Sequence, residues 1–285
     1  MTTLPERAGR HCQAVVNPLH SAVYFSPDLT REFAFLGVDD ARSAYFAARA
    51  APLGRVGTGA VTAAFYNFKH DHVARHVPGV WDTVSPEEAL AARLRAADTL
   101  LRRLLGEEAI ASAELAEAAG LALRAAGAGS RPGRPLYAAN ADLPVPEAPH
   151  LAFWHAATLL REHRGDGHLA LLLTAGLDPL EALVSHTASG HGMSPRWILD
   201  SRGWSTAEWE AAEERLRERG LLNTDGGLTE AGTRLRKDLE SDTDRLDRAP
   251  YEQLGAAGVA RLTELAKGFT ATALAAGAFP AELFH

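Results

Sequence analysis

Cysteine is almost missing from this chain. Cys12 stands alone, which excludes an internal disulfide and a cysteine-based zinc site and fits a reducing compartment. Long apolar runs are missing as well. No stretch approaches the roughly 20 residues that span a bilayer. The opening MTTLPERAGRHC has no basic segment leading into an apolar one. Neither a membrane span nor a secretion signal is expected, and the expected location is cytoplasmic. An excess of basic charge is absent too. The net charge is −7, so contact with nucleic acid would need a local basic patch. Several enzyme signatures are lacking. Gly54, Gly57 and Gly59 do not follow a strand, so they make no phosphate loop, and no serine sits in a nucleophile elbow.

What is there is helical. With 285 residues and 46% apolar composition, the chain can build one large domain or two. Ser85–Pro86–Glu87–Glu88 is a strong helix start: serine caps, proline takes the first helical position, and Glu88 completes a capping box. The first 126 residues show no alternating strand. Gly127 to Pro149 is rich in glycine and proline and reads as a connection without a regular element. The expected organisation is an N-terminal helical domain over residues 1–128, a connection over 129–149, and a second domain over 150–285.

The densest polar feature is FWHAATLLREHRGDGHLALLL, Phe153 to Leu173. It reads as an apolar helix that runs into a knot of charge. Gly165 and Gly167 would interrupt it, Asp166 would cap a second helix, and Arg and His near the first helix end would complement its dipole. The same residues also suit a polar pocket. His155, Glu162, His163, Arg164, Asp166 and His168 are the candidates there. His20, Tyr24, Tyr45, Arg49 and Tyr66 would form an aromatic and charged wall from the N-terminal half. For both groups the alternative is a satisfied, purely structural network. His72 and His76 share a helix face but lack the acid of a zinc motif, so no metal site is assigned, and no residue set indicates a cofactor.

The last segment has the clearest pattern. Ser205 to Arg219 reads as a helix with a serine cap and Glu208 at the capping-box position. Leu221–Asn223 and Gly227–Thr229 read as two short strands about a tight turn. Leu228–Thr229–Glu230–Ala231–Gly232 then opens a long helix. This order resembles the winged helix of MarR-type regulators, in which Leu-Thr-x-x-Gly follows the wing and leads to a dimer interface. The whole chain resembles an actinobacterial helix-turn-helix family known as "SalTO". The resemblance rests on His20–Pro27, Tyr45–Gly54, Leu160–His168 and Arg202–Ser205. The fold so implied is mainly α, with a MarR-like winged helix-turn-helix carrying a small β-wing, and a homodimer joined through the C-terminal helices.

The expected recognition helix carries Glu208, Glu210, Glu213, Glu214 and Glu218 against Arg215, Arg217 and Arg219, and the wing has no basic residue. By that count DNA is disfavoured as a partner. The expected function is therefore binding of a small-molecule ligand or substrate in a pocket between the halves, extending to a tailoring enzyme of specialised metabolism, with catalysis itself left open. The alternative is a ligand-responsive MarR-like transcriptional regulator that binds DNA.

Overall fold

The structure is a computed structural model that describes residues 4–283. Fourteen α-helices occur among the described residues. The first five are α1 (Ala8–Ser21), α2 (Pro27–Ala34), α3 (Ala41–Ala50), α4 (Thr58–Phe65) and α5 (His70–Ala74). A long pair follows, α6 (Pro86–Ile110) and α7 (Ala113–Ala126), then the short α8 (Pro135–Ala141). The remainder are α9 (Pro149–Thr174), α10 (Pro179–Ala188), α11 (Pro195–Arg202), α12 (Thr206–Glu218), α13 (Glu230–Leu246) and α14 (Arg248–Ala275).

The local signals explain most boundaries. Ser85 and Ser205 each cap their helix in a full capping box with Glu88 and Glu208. Ser26, Asp40, Ser112 and Thr229 accept backbone N–H groups at other helix starts. Proline occupies the first helical position of α2, α6, α8, α9, α10 and α11, where it has no intrahelical bond to lose.

Helix α9 is the axis of the molecule. It packs against α1, α6, α7, α8 and α13. Its first half, including Phe153, Trp154 and Leu160, enters a large core shared with α1, α6, α7 and α14. Its end, from Leu169 to Leu172, enters a second core with Leu177, Leu183, Ile198, Trp209, Leu216 and Leu239. Each large side chain buried this way contributes about 2 kcal/mol. That burial explains why α9 is one helix and not the two expected. Gly165 and Gly167 cost about 1 kcal/mol each relative to alanine, less than the cores on either side return. Asp166 therefore caps no helix that follows it in the chain. It lies mid-helix, where its Oδ2 accepts the Tyr137 N–H of α8 at 2.9 Å. Helix α8 itself lies inside the stretch read as irregular, anchored by buried Leu136 and Tyr137.

The β-wing is not formed. Among the described residues there is no sheet, and Leu222 and Leu228 make one isolated antiparallel bridge. The nine residues from Leu221 to Thr229 are already committed at both ends. The Leu221 and Leu222 N–H groups close α12 on the Leu216 carbonyl, and Thr229 caps α13. The hairpin bonds between them, from the Asn223 N–H to the Gly227 carbonyl at 2.8 Å and the Thr229 N–H to the Leu221 carbonyl at 3.1 Å, do not extend into strands. The Leu-Thr-x-x-Gly motif has a packing role instead. A Cβ on Gly232 would lie 2.1 Å from the Leu221 carbonyl oxygen, so only glycine lets α13 start against the end of α12. The MarR-like winged fold is thus corrected to an all-α one. The C-terminal helix is also committed within the chain: Val259, Leu262, Leu265 and Ala266 of α14 belong to the core it forms with α1 and α7. Their burial needs no second copy.

Candidate helix-turn-helix module

Helices α10 to α13 build the second core. Helix α11 ends at Gly203, in the left-handed region at φ 78°, and Trp204 leads to the Ser205 cap of α12. Trp209, Ala212 and Leu216 recur at helical spacing and are the buried face of α12, packed with α10. Thr206, Ala207, Glu210, Ala211, Glu214 and Glu218 are left on the outer face.

The turn is seated on the N-terminal half. The Lys69 N–H donates to the Arg202 carbonyl at 3.0 Å, and the Trp204 indole N–H donates to the Asn67 carbonyl at 2.9 Å. A Cβ on Gly203 would lie 2.4 Å from the Cβ of His72. Tyr66, held at φ 58°, joins the second core and donates its hydroxyl to the Leu177 carbonyl.

The charges of α12 are largely engaged. Arg215 bonds Asp178 at 2.6 Å and Glu181 at 3.2 Å, and Arg219 bonds Glu181 at 2.9 Å. Arg217 bonds Glu213 and Glu214, each at 3.0 Å. Glu208 is the cap partner of Ser205 and also accepts from Lys69 at 2.6 Å. Its carboxyl is held at about 2, by the Lys69 and Ser205 hydrogen bonds. Glu213 accepts the Trp209 indole N–H. Of the five acids on this helix, Glu210 and Glu218 make no ion pair among the described residues.

The polar residues expected to share one pocket separate into groups around α9. In the first, His20 Nδ1 lies 2.8 Å from the Thr158 hydroxyl, and Arg49 bonds the Tyr45 hydroxyl and, at 3.5 Å, Glu162. Arg161 also bonds Glu162. Burial pushes the Glu162 carboxyl up, but Arg161, Arg49 and His20 outweigh it and hold it at about 2. Burial holds His20 neutral, down at about 3. The Tyr24 hydroxyl is buried here without a partner.

The second group faces α13 and the 127–149 stretch. The Ser130 N–H donates to His163 Nε2, so His163 Nδ1 carries the proton and donates to Asp247 at 2.6 Å. Arg164 bonds Asp244 at 2.8 Å and Glu240 at 2.9 Å. The Thr243 hydroxyl spends its proton on the Leu239 carbonyl, so His168 Nδ1 donates to that hydroxyl at 2.8 Å. Asp166 is pushed up to about 6 by burial, and its Oδ1 has no partner. His155 is apart from both groups, beside Trp154 and Arg93, lowered to about 4 by burial first and Arg93 second. Tyr66 belongs to the helix-turn-helix core. No group of three or more His, Cys, Asp or Glu side chains among the described residues suits a metal, and no single helix there is long and apolar enough to cross a membrane.

The sequence profile of a helix-turn-helix family matches residues 9–280. The chain belongs to that helix-turn-helix family. No curated protein and no solved structure matches it. The match is to a helix-turn-helix family in general, so it carries neither the "SalTO" designation nor a MarR-like wing. It also overturns two functional expectations. A ligand-binding or tailoring protein whose winged helix had lost its charge is not what the family match describes, and there is no wing to have lost it. Nor is DNA disfavoured, since family membership makes it the more natural partner. The count of five acids against three bases ignored that Glu208 and Glu213 serve the cap and the Trp209 indole.

Sequence reasoning missed Arg236 and Arg10 and left Arg161 and His186 out of the candidate pocket; all four line the cleft between α1, α9, α10 and α13. A signal existed. Gly232, Arg236, Leu239, Thr243 and Asp247 fall at steps of three and four on one buried face of α13. Polar residues at core positions mark a site more often than a mistake in packing.

Proposed function

We propose that this protein is a helix-turn-helix regulator that binds double-stranded DNA in the cytoplasm through α11 and α12. The observation that carries this reading is the α11–Gly203–Trp204–Ser205–α12 unit. Its inner face is buried, its turn is buttressed, and the outer face of α12 is uncovered. A helix so fixed suits insertion into a major groove, whose width admits one helix. Arg196 on α11 is exposed and makes no ion pair among the described residues, which suits it to a phosphate. Arg217 is paired with acids of its own helix, one of them exposed. Surface pairs of that kind are worth about 0–1 kcal/mol, so a phosphate can take the guanidinium over at little cost.

The test is selection of bound fragments from the host genome, followed by gel retardation at about 50 mM salt. Enriched fragments should be retarded, with log affinity falling against log salt at a slope of about −2 to −4 for a few phosphate contacts. Arg196→Ala with Arg217→Ala should reduce affinity at least about tenfold while leaving the melting temperature in place, since both residues lie outside the core. If no fragment is enriched and none is retarded at low salt, the reading fails.

A further inference from the structure

The cleft between α1, α9, α10 and α13 encloses about 430 Å³, a size typical of pockets for small organic ligands. Its wall is divided. Leu169, Leu172 and Leu183 supply an apolar side. Arg10, Arg161, Arg164 and Arg236 supply four guanidinium groups, in a protein whose net charge is −7. The carboxylate on the wall, Glu240, is already taken by Arg164 at 2.9 Å and approached by Arg10 at 3.8 Å.

Arg236 decides the matter. It is only 7% exposed, yet among the described residues no carboxylate lies within ion-pair distance; Glu240 acts on it from further away and is held by Arg164. Its Nη2 donates to His186 Nδ1 at 3.0 Å. Since arginine can only donate, His186 carries its proton on Nε2 and is a second donor on the cleft wall. Burial lowers the Arg236 guanidinium and holds His186 neutral at about 4. A buried cation without a counter-charge is expensive to keep. The charge imbalance continues behind Arg161, where Arg49 and Arg161 share Glu162. Arg202, stacked on Phe68 at 4.2 Å, has no carboxylate either among the described residues. On the opposite wall, Asn17 and Asn67 have side-chain oxygens buried without partners. They can meet a hydroxyl or amide of a ligand.

We propose that this cleft binds a small organic anion, with its carboxylate or phosphate on Arg236, His186 and Arg161 and its apolar body on Leu169, Leu172 and Leu183. The oxyanion supplies Arg236 with the close counter-charge that Glu240, held by Arg164, gives it only from a distance. The occupant would touch α10, against which α11 and α12 pack, and α13, which packs on α10. That placement makes it an effector of DNA binding. The effector role rests on the reading of the protein as a DNA-binding regulator, whereas binding in the cleft does not.

The two are separated by measuring melting temperature without DNA and gel retardation with it. Benzoate and phenyl phosphate serve as probes for the two oxyanions, with benzamide and inorganic phosphate as controls. One or both organic anions should raise the melting temperature by about 5 °C when present a hundredfold above Kd. The preferred one tells carboxylate from phosphate, benzamide should give no shift, and inorganic phosphate a smaller one. The shift should vanish in Arg236→Met and, as an independent check away from the polar network, in Ala14→Phe, which fills the cleft from its rim. An Arg95→Met variant, remote on α6, should retain it. The cleft is refuted if neither organic anion shifts the wild type, or if both variants keep the shift. Loss of DNA retardation alone would sink the regulator and leave the cleft standing.

Discussion

Asp166 and Glu162 lie one turn apart on α9 and have opposite electrostatic fates. Glu162 is neutralised by Arg161 and Arg49, so burial does not protonate it. Asp166 has one backbone N–H and an orphaned oxygen, so burial raises it from an ordinary 3.8 to about 6. Between those values the folded protein holds a proton that the unfolded chain has released. Stability therefore falls as pH rises from about 4 to about 6, and is flat above. Glu162 contributes the opposite slope lower down, with stability lost as pH falls from about 4.5 toward about 2. Asp166→Asn keeps the acceptor for Tyr137 and removes the charge. We expect it to stabilise the protein at pH 7 by about 1–2 kcal/mol, less than the full shift of about 3 kcal/mol because the new amide is itself unpartnered. The gain should disappear near pH 4. Thermal melts of both proteins across that range check this, and a variant less stable than wild type at pH 7 would refute it.

Among the elements, the junction of α12 and α13 is the tightest. Gly232→Ala forces a methyl to within 2.1 Å of the Leu221 carbonyl oxygen, and backbone must move to admit it. A loss of about 3 kcal/mol or more is expected in urea unfolding; a loss under about 1 kcal/mol would show that the junction is slack. Gly203→Ala combines a left-handed φ with collision against His72, so it should unseat the turn. The expected outcome is faster amide exchange in Lys69 and Trp204 with little change around Trp154. The capping boxes at Ser85 and Ser205 and the all-helical N-terminal half were readable because they depend on neighbours within one turn. The wing was misread for the same reason: Leu-Thr-x-x-Gly looks alike whether its glycine follows a strand or admits a carbonyl from another element. Gly165 and Gly167 misled similarly, since the burial that carries α9 through them comes from residues far away in sequence. The candidate site divides along the same line. The polar residues of α9 stood out in the sequence, but their partners on α3, α8 and α13 did not, because pairings such as His163 with Asp247 have no local signature.

Taken whole, the molecule has two cores threaded by one helix. The shared α9, the Tyr66 contact with Leu177 and the Lys69 contact with Arg202 couple them. Calorimetry should show one transition, with calorimetric and van't Hoff enthalpies in agreement; two resolved transitions would mean that these contacts are too weak to bind the cores together. The seating of the Gly203–Trp204 turn on Asn67 and His72 has a further consequence for protein engineering. The helix-turn-helix here is not a portable cassette. Grafted onto another scaffold, α10 to α13 would leave the Trp204 indole N–H and the Leu177 carbonyl without their acceptor and donor. If α12 reads DNA as proposed, new specificity would have to be sought by recoding Thr206, Ala207 and Glu210 in place, with the N-terminal half kept as the mould that holds that helix.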